Sequence, residues 1–173
     1  MNPELKFDKA FRVSERAFVI AEIGHNHQGS VEKARQMFSA AKDAGVNAVK
    51  LQKRNNRTLF TKALYNQSYD NENSYGATYG EHREALEFNR DEYLELQNYA
   101  KELDLMFFAT PFDFESVDFL AELDMPAYKI ASADLTNIPL QRHIAKLGKP
   151  IFLSTGGGDM RDIRRACDAI LPL

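Results

Sequence analysis

Glu22, Lys50 with Gln52, Thr110, Lys129 with Ser132 and Asp134, and Ser154 with Thr155 sit in or just after five short apolar runs. A carboxylate or an ammonium in such a run is costly to bury unless it is paired or used. The lysines in particular call for an anion to neutralise them. Hydroxyls at loop starts and glycine-rich turns ahead of helices supply further anion donors. As a set, these residues describe a pocket for a phosphate or a carboxylate, with the Glu22 carboxylate beside it. Taken singly, each also fits a strand-end side chain that reaches solvent or an ion pair. The repetition at one run after another weakens that plainer account.

His25-Asn26-His27 raises a separate question. An H-x-H pair after a first barrel strand can bind a metal, but only with further ligands after later strands. The other histidines are His82, in a long insertion, and His143, inside a helical pattern. Metal binding by the pair is therefore disfavoured, and hydrogen bonding within the loop is the plainer role.

The elements that must position these groups follow one plan. A strand is predicted at 18–23, then a helix at 31–44 with Ser30 as N-cap and Gly45 as its stop. Val31, Ala34, Met37, Phe38, Ala41 and Ala44 share one face of that helix. A second strand at 46–52 leads into an insertion at 53–88, rich in Asn, Tyr, Gly and Ser. Its tyrosines and clustered asparagines favour an ordered binding loop. A helix follows Asn89, with Glu92 in the capping-box position, and runs to about 103. Next come a strand at 105–110 stopped by Pro111, and a helix after Asp113 carrying Val117, Leu120 and Leu123. A strand at 127–131, a helix from Pro139 to Gly148, a strand at 150–154 and a helix from Asp159 complete the chain.

Alternating βα units imply a parallel sheet. No G-x-G-x-x-G follows any strand, so a dinucleotide fold lacks support. Near-equal sequential units favour a (β/α)8 TIM barrel, of which 173 residues supply about the first five units, an incomplete barrel. Residues 1–17 read as a lead-in, with a hairpin across the bottom of the fold as one form, and 18–173 as the barrel portion. The formal charge of −3 gives no sign of a nucleic-acid or anionic-membrane partner. No basic-then-apolar leader or membrane-length apolar run is present, so the cytoplasm is the expected compartment. The single cysteine, Cys167, reads as a small helical hydrophobe.

Several stretches carry a resemblance. Ala21-Glu22-Ile23-Gly24-His25-Asn26-His27-Gln28-Gly29 is similar to the first-strand motif of the sialic acid synthase (N-acetylneuraminate synthase) family. Val49-Lys50-Leu51-Gln52, Thr78-Tyr79-Gly80-Glu81-His82, Leu86-Glu87-Phe88 and Thr110-Pro111-Phe112 match in order. So do Pro126-Ala127-Tyr128-Lys129-Ile130-Ala131-Ser132, Thr136-Asn137 with Pro139, and Gly148-Lys149-Pro150 leading to Leu153-Ser154-Thr155-Gly156. The resemblance implies condensation of phosphoenolpyruvate with an N-acyl amino sugar of the N-acetylmannosamine type, giving a nonulosonic acid and phosphate. It implies that Lys50, Thr110, Lys129, Ser132 and Ser154 hold phosphoenolpyruvate, and that Glu22 acts catalytically near the reacting carbons. Gln52, with Asn73 and Tyr79 of the insertion, joins the substrate-binding set. Asp134 stands where many relatives carry Glu, so its shorter arm is a departure.

The resemblance also implies a divalent metal, Mn or Mg, whose histidine ligands lie on later strands than this chain has. His25 is variable among relatives, whereas His27 matches their usual motif. A small C-terminal antifreeze-like domain, absent here, and a homodimer of the full-length form are implied as well. The chain alone is then expected to be catalytically silent and prone to associate. Two other readings stay open: a non-catalytic half-barrel that binds phosphorylated ligands, and a synthase for pseudaminic or legionaminic acid.

Overall fold

Successive residues of a strand point to opposite faces of a sheet, so each apolar run must satisfy two environments at once. The computed structural model describes residues 17–173, which leaves the expected lead-in, apart from Ala17, outside the described residues. The chain runs through β1 (Ile20–Gly24), α1 (Val31–Asp43), β2 (Ala48–Lys53) and three short helices, α2 (Asn56–Leu59), α3 (Lys62–Tyr65) and α4 (Tyr79–Glu84). It continues with α5 (Arg90–Glu102), β3 (Met106–Pro111), α6 (Phe114–Glu122), β4 (Tyr128–Ile130), a 3-10 turn (Ser132–Asp134), α7 (Ile138–Ala145), β5 (Ile151–Leu153) and α8 (Met160–Ile170).

The strands form one parallel sheet in the order β1-β2-β3-β4-β5. A doubly wound sheet needs a reversal of strand order, and there is none. With right-handed crossovers throughout, the helices fall on a single face, as in a (β/α)8 barrel of which these are five units. The core bears this out. Val49, Leu51, Phe107, Ala109, Tyr128 and Ile130 pack with Phe38 of α1, Leu96 of α5, Leu120 of α6 and Ile144 of α7. The opposite face gathers Ala48 and Phe108 with Ile20, Met106 and Phe152, and no helix residue joins them. The register sets Glu22 beside Lys50, Lys50 beside Phe108, and Gln52 beside Thr110. The reactive residues of β1–β3 thus continue this second face toward the strands' C-terminal ends.

Ser30, Asn89 and Asp113 cap their helices as the sequence predicts, and Asn89 forms the capping box with Glu92. Three expectations need correction. Pro111 ends β3 from within the strand rather than just after it. The fourth major helix stops at Ala145, with Lys146 as its cap, before Gly148. The insertion is not one loop but three short helices capped by Asn55, Thr61 and Thr78, closed by an antiparallel bridge from Ser68 to Thr78. Helices of so few residues show no apolar period, which hides them from a periodicity reading. Ala44 is exposed and Cys167 half-buried, so neither adds to the deep core. Among the described residues no helix is long and apolar enough to cross a membrane.

Candidate functional site

The C-terminal ends of the strands carry the cluster. Glu22 forms an ion pair with the Lys50 ammonium, which also donates to Thr110 Oγ1 at 2.8 Å. Gln52 Nε2 donates to Glu22 Oε1 at 3.0 Å. On β4, Lys129 Nζ donates to Ser154 Oγ and, at 2.6 Å, to the Ile130 carbonyl. Local backbone explains how Glu22 reaches its partners. The β1–β2 register shifts between Glu22 and Gly24, and Gly24 has φ +57°. A Cβ there would stand 3.2 Å from Glu22 Oε1, so the glycine leaves room for the carboxylate.

Charge in the cluster is unbalanced. Lys50 is buried and Lys129 half-buried, while among the described residues Glu22 is the only carboxylate paired with either. Burial holds the Lys50 ammonium below its ordinary pKa, against the pull of Glu22. Lys129 is lowered too, first by burial and then by repulsion from Lys50. Lys50 pairs in register with Phe108 and Lys129 with Phe152, so both lysines stand on the sheet face away from the helices, two strands apart. Two cations, one carboxylate and the hydroxyls of Thr110 and Ser154 make an anion receptor. Glu22 departs from expectation in one respect: its side chain is 47% exposed rather than buried, so it reaches solvent while paired with Lys50.

A second network adjoins the first, and it was not foreseen from sequence. Gln52 Oε1 accepts from Arg54 at 2.7 Å. Arg54 and Arg83 approach the two nitrogens of His25 at 3.4 and 3.3 Å. Glu87 lies 3.3 Å from His25 Nε2 and 3.2 Å from Lys53 Nζ, and also accepts from the Arg54 backbone N–H. Burial raises the Glu87 carboxyl, yet His25 and Lys53 outweigh it and hold the group ionised. Burial likewise keeps His25 neutral despite Glu87. The available signal was Glu87 in its family-like triplet and the cationic Lys53-Arg54 at a strand end. A cavity of about 370 Å³ borders this network, lined by Lys53, Arg54, Asn56, Glu87 and Phe119 among others, and includes none of the strand-end cluster.

Other predicted residues fall elsewhere. Ser132 is exposed in its 3-10 turn, near Gly156 of the glycine-rich loop. Asp134 Oδ1 accepts from Asn137 Nδ2 at 3.0 Å rather than from the cluster. Tyr79 packs edge-on to Phe60 and Tyr69 within the insertion and is felt electrostatically by Arg54. Asn73 is exposed in a turn where its backbone N–H donates to Asn71. Thr155 is exposed.

The histidine pair is spent on the fold. His27 Nδ1 accepts from the Gly29 N–H at 3.1 Å, and its ring stacks on Phe88 with centroids 4.1 Å apart. Burial, then His25, hold it at a pKa of about 4, against a hydrogen bond to the Gly24 backbone. Arginines on both sides of His25 oppose a cation there. Among the described residues no three His, Cys, Asp or Glu side chains converge on a metal site. The described residues therefore do not fit the divalent ion that the resemblance implies, and no step below runs through one.

The fold and the sequence have counterparts among known proteins. The sequence profile of the NeuB family matches residues 37–171. The chain is 42% identical over 154 residues to the N-acetylneuraminate-9-phosphate synthase of Drosophila melanogaster, covering 89% of this chain and 41% of that protein. It is 36% identical over 160 residues to the N,N'-diacetyllegionaminic acid synthase of Legionella pneumophila, covering 92% and 45%. It thus spans less than half the length of these relatives. Among solved structures, it superimposes with a TM-score of 0.76 on the N-acetylneuraminic acid synthetase of Leptospira borgpetersenii in complex with citrate. That match has 31% identity and covers 90% of this chain and 50% of that one.

Proposed function

The chain belongs to the NeuB family, and we propose on that premise that it carries the phosphoenolpyruvate-binding part of a synthase for a sialic-type acid. The carrying observation is the pair of ammoniums, Lys50 and Lys129, on one face of the sheet, with Glu22 as the only carboxylate that pairs with either among the described residues. Phosphoenolpyruvate brings both a phosphate and a carboxylate, and so supplies the anions this cluster lacks. Lys50 with Thr110, and Lys129 with Ser154, take its charged ends, and Ser132 adds a hydroxyl from the neighbouring turn.

The reaction follows from the chemistry of the enol ester. Carbon 3 of phosphoenolpyruvate attacks the open-chain aldehyde of the N-acyl amino sugar and forms the new C–C bond. The aldehyde oxygen takes a proton, water adds at carbon 2, and phosphate leaves as the C–O bond breaks. Glu22 is partly exposed and is held by Lys50 and Gln52. From there it stabilises positive charge developing at carbon 2 or accepts a proton from the attacking water. Gln52, with Tyr79 and Asn73 of the insertion, reads the sugar. Asp134 positions the turn through Asn137. The relatives' names cover both a 9-phosphate and a legionaminic product, so the sugar remains to be assigned.

Calorimetric titration with phosphoenolpyruvate tests the pocket. We expect saturable binding by the intact protein, weakened in Lys129→Ala by on the order of tenfold or more, the usual range for a charged hydrogen bond. Binding left intact by Lys129→Ala, or no binding by a cooperatively melting protein, would remove the basis of this reading.

A further inference from the structure

Glu22 owes its pose to a side chain that fits its place either way round. Lys50 holds one carboxylate oxygen, Oε2, and Gln52 Nε2 donates to the other, Oε1, at 3.0 Å. A glutamine amide carries N–H donors on one side and a carbonyl on the other, and the two sides differ little in shape. Turned over, Gln52 would set its carbonyl oxygen against Glu22 Oε1, two acceptors with no proton between them. Arg54 forbids that. A guanidinium has only donors, and Arg54 donates to Gln52 Oε1 at 2.7 Å. Both neighbours of the amide thus demand one orientation, oxygen to Arg54 and nitrogen to Glu22. Arg54 is itself held. Its guanidinium lies 3.7 Å from the centre of the Phe112 ring, and a terminal nitrogen stands 3.4 Å from His25 Nε2. The Phe112 N–H donates to the Lys53 carbonyl at 3.2 Å, and the buried Tyr93 hydroxyl donates to the Gln52 carbonyl at 3.1 Å. Gly24 leaves room for the amide, since a Cβ there would stand 3.4 Å from Gln52 Nε2.

We propose that Arg54 is a positioning residue for the condensation, which fixes the Glu22 carboxylate in one orientation by locking the Gln52 amide. This rests on the role given to Glu22 above. Arg54 takes no part in bond making and acts only through Gln52. A half-exposed carboxylate held at one oxygen turns about that contact, whereas one held at both has its plane set. Groups that must meet a reacting carbon depend on such support, and a misplacement of about 1 Å can cost on the order of a hundredfold in rate.

Side-chain amide NMR of the isotope-labelled protein at neutral pH tests this. The Gln52 signals are identified by their loss in Gln52→Ala. An N–H donated to a carboxylate resonates downfield, so one Gln52 proton should lie downfield and return upfield in Glu22→Gln. Arg54→Met keeps the stem of the side chain and removes every donor. It should carry the Gln52 proton most of the way to its position in Glu22→Gln, while Arg54→Lys, which keeps a donor and the charge, should hold most of the downfield shift. A Gln52 signal that ignores Glu22→Gln, or that Arg54→Met leaves in place, overturns the proposal. So does a loss that Arg54→Lys does not restore, with backbone signals of the insertion displaced in both variants, since Arg54 would then merely hold the loop. Should Arg54→Met fail to melt cooperatively, Phe112→Leu, which removes the ring beneath the guanidinium, takes its place in the same comparison. Phosphoenolpyruvate titration of the unaltered protein runs in parallel. Failure there, with the Gln52 signature intact, condemns the phosphoenolpyruvate reading and leaves the Arg54–Gln52–Glu22 chain standing.

Discussion

At the scale of single residues, buried histidines tie the fold to pH. Folded His27 titrates at about 4, against 6.5 for an unperturbed imidazole. The unfolded chain therefore binds more protons between those values, and stability rises with pH across the window. The contribution is complete above 6.5 and is lost as pH falls toward 4, by roughly 3 kcal/mol at its limit. His25 and His82 are lowered as well and act with the same sign. Glu87, held net below its usual range, adds its own loss at still lower pH. Urea midpoints measured from pH 7 to 4 should fall steeply, and His27→Asn, which keeps an acceptor for Gly29, should flatten the curve. An unchanged slope in that variant would place the acid sensitivity elsewhere.

At the scale of elements, the insertion is bound to the first βα loop at one tight point. Gly29 has φ +74°, and a Cβ there would lie 2.1 Å from the Ala85 carbonyl, just past α4. Gly29→Ala should therefore cost about 2 to 3 kcal/mol in urea unfolding, from a disfavoured backbone and from displacement of Ala85. A loss below about 0.5 kcal/mol, the range of an ordinary surface change, would mean that the loop yields freely. The same junction marks the limit of what the sequence discloses. The five βα units were legible because each strand is an apolar run ended by Gly, Pro or a cap, and each long helix has an apolar face. The strand-end residues were legible for a related reason, since each is a polar residue in or just after an apolar run; that Glu22, Lys50, Gln52 and Thr110 share one face follows from the register. His25 with Arg54 and Arg83 was not, because its partners lie 29 and 58 residues away and meet only through tertiary packing. The Thr78–Glu81 capping box was present in the sequence as a sign of α4, but six residues carry no period to support it.

At the scale of the whole molecule, β1 and β5 are the two margins of the sheet. Each is paired on one side only among the described residues, and the face away from the helices carries Ile20, Met106 and Phe108. Parallel sheets are normally covered on both faces, and one-sided margins invite further pairing. The purified 173-residue chain should therefore associate. Sedimentation velocity over a hundredfold range of concentration would show this as a rising sedimentation coefficient, whereas a constant monomer value would contradict it. The sequential strand order bears on assembly as well. Every strand pairs with its neighbour in sequence, so each step of folding closes a single connection. The connection from β2 to β3 is the long one, because it contains the whole insertion. Doubling a loop adds about 0.6 kcal/mol of closure entropy. Entropy therefore favours growth as two pieces, β1–β2 and β3–β5, with their joining as the costliest closure. The Lys50–Thr110 bond spans that joint and Glu22 and Lys129 lie on opposite sides of it, so the proposed anion pocket comes into being only at the last act of assembly.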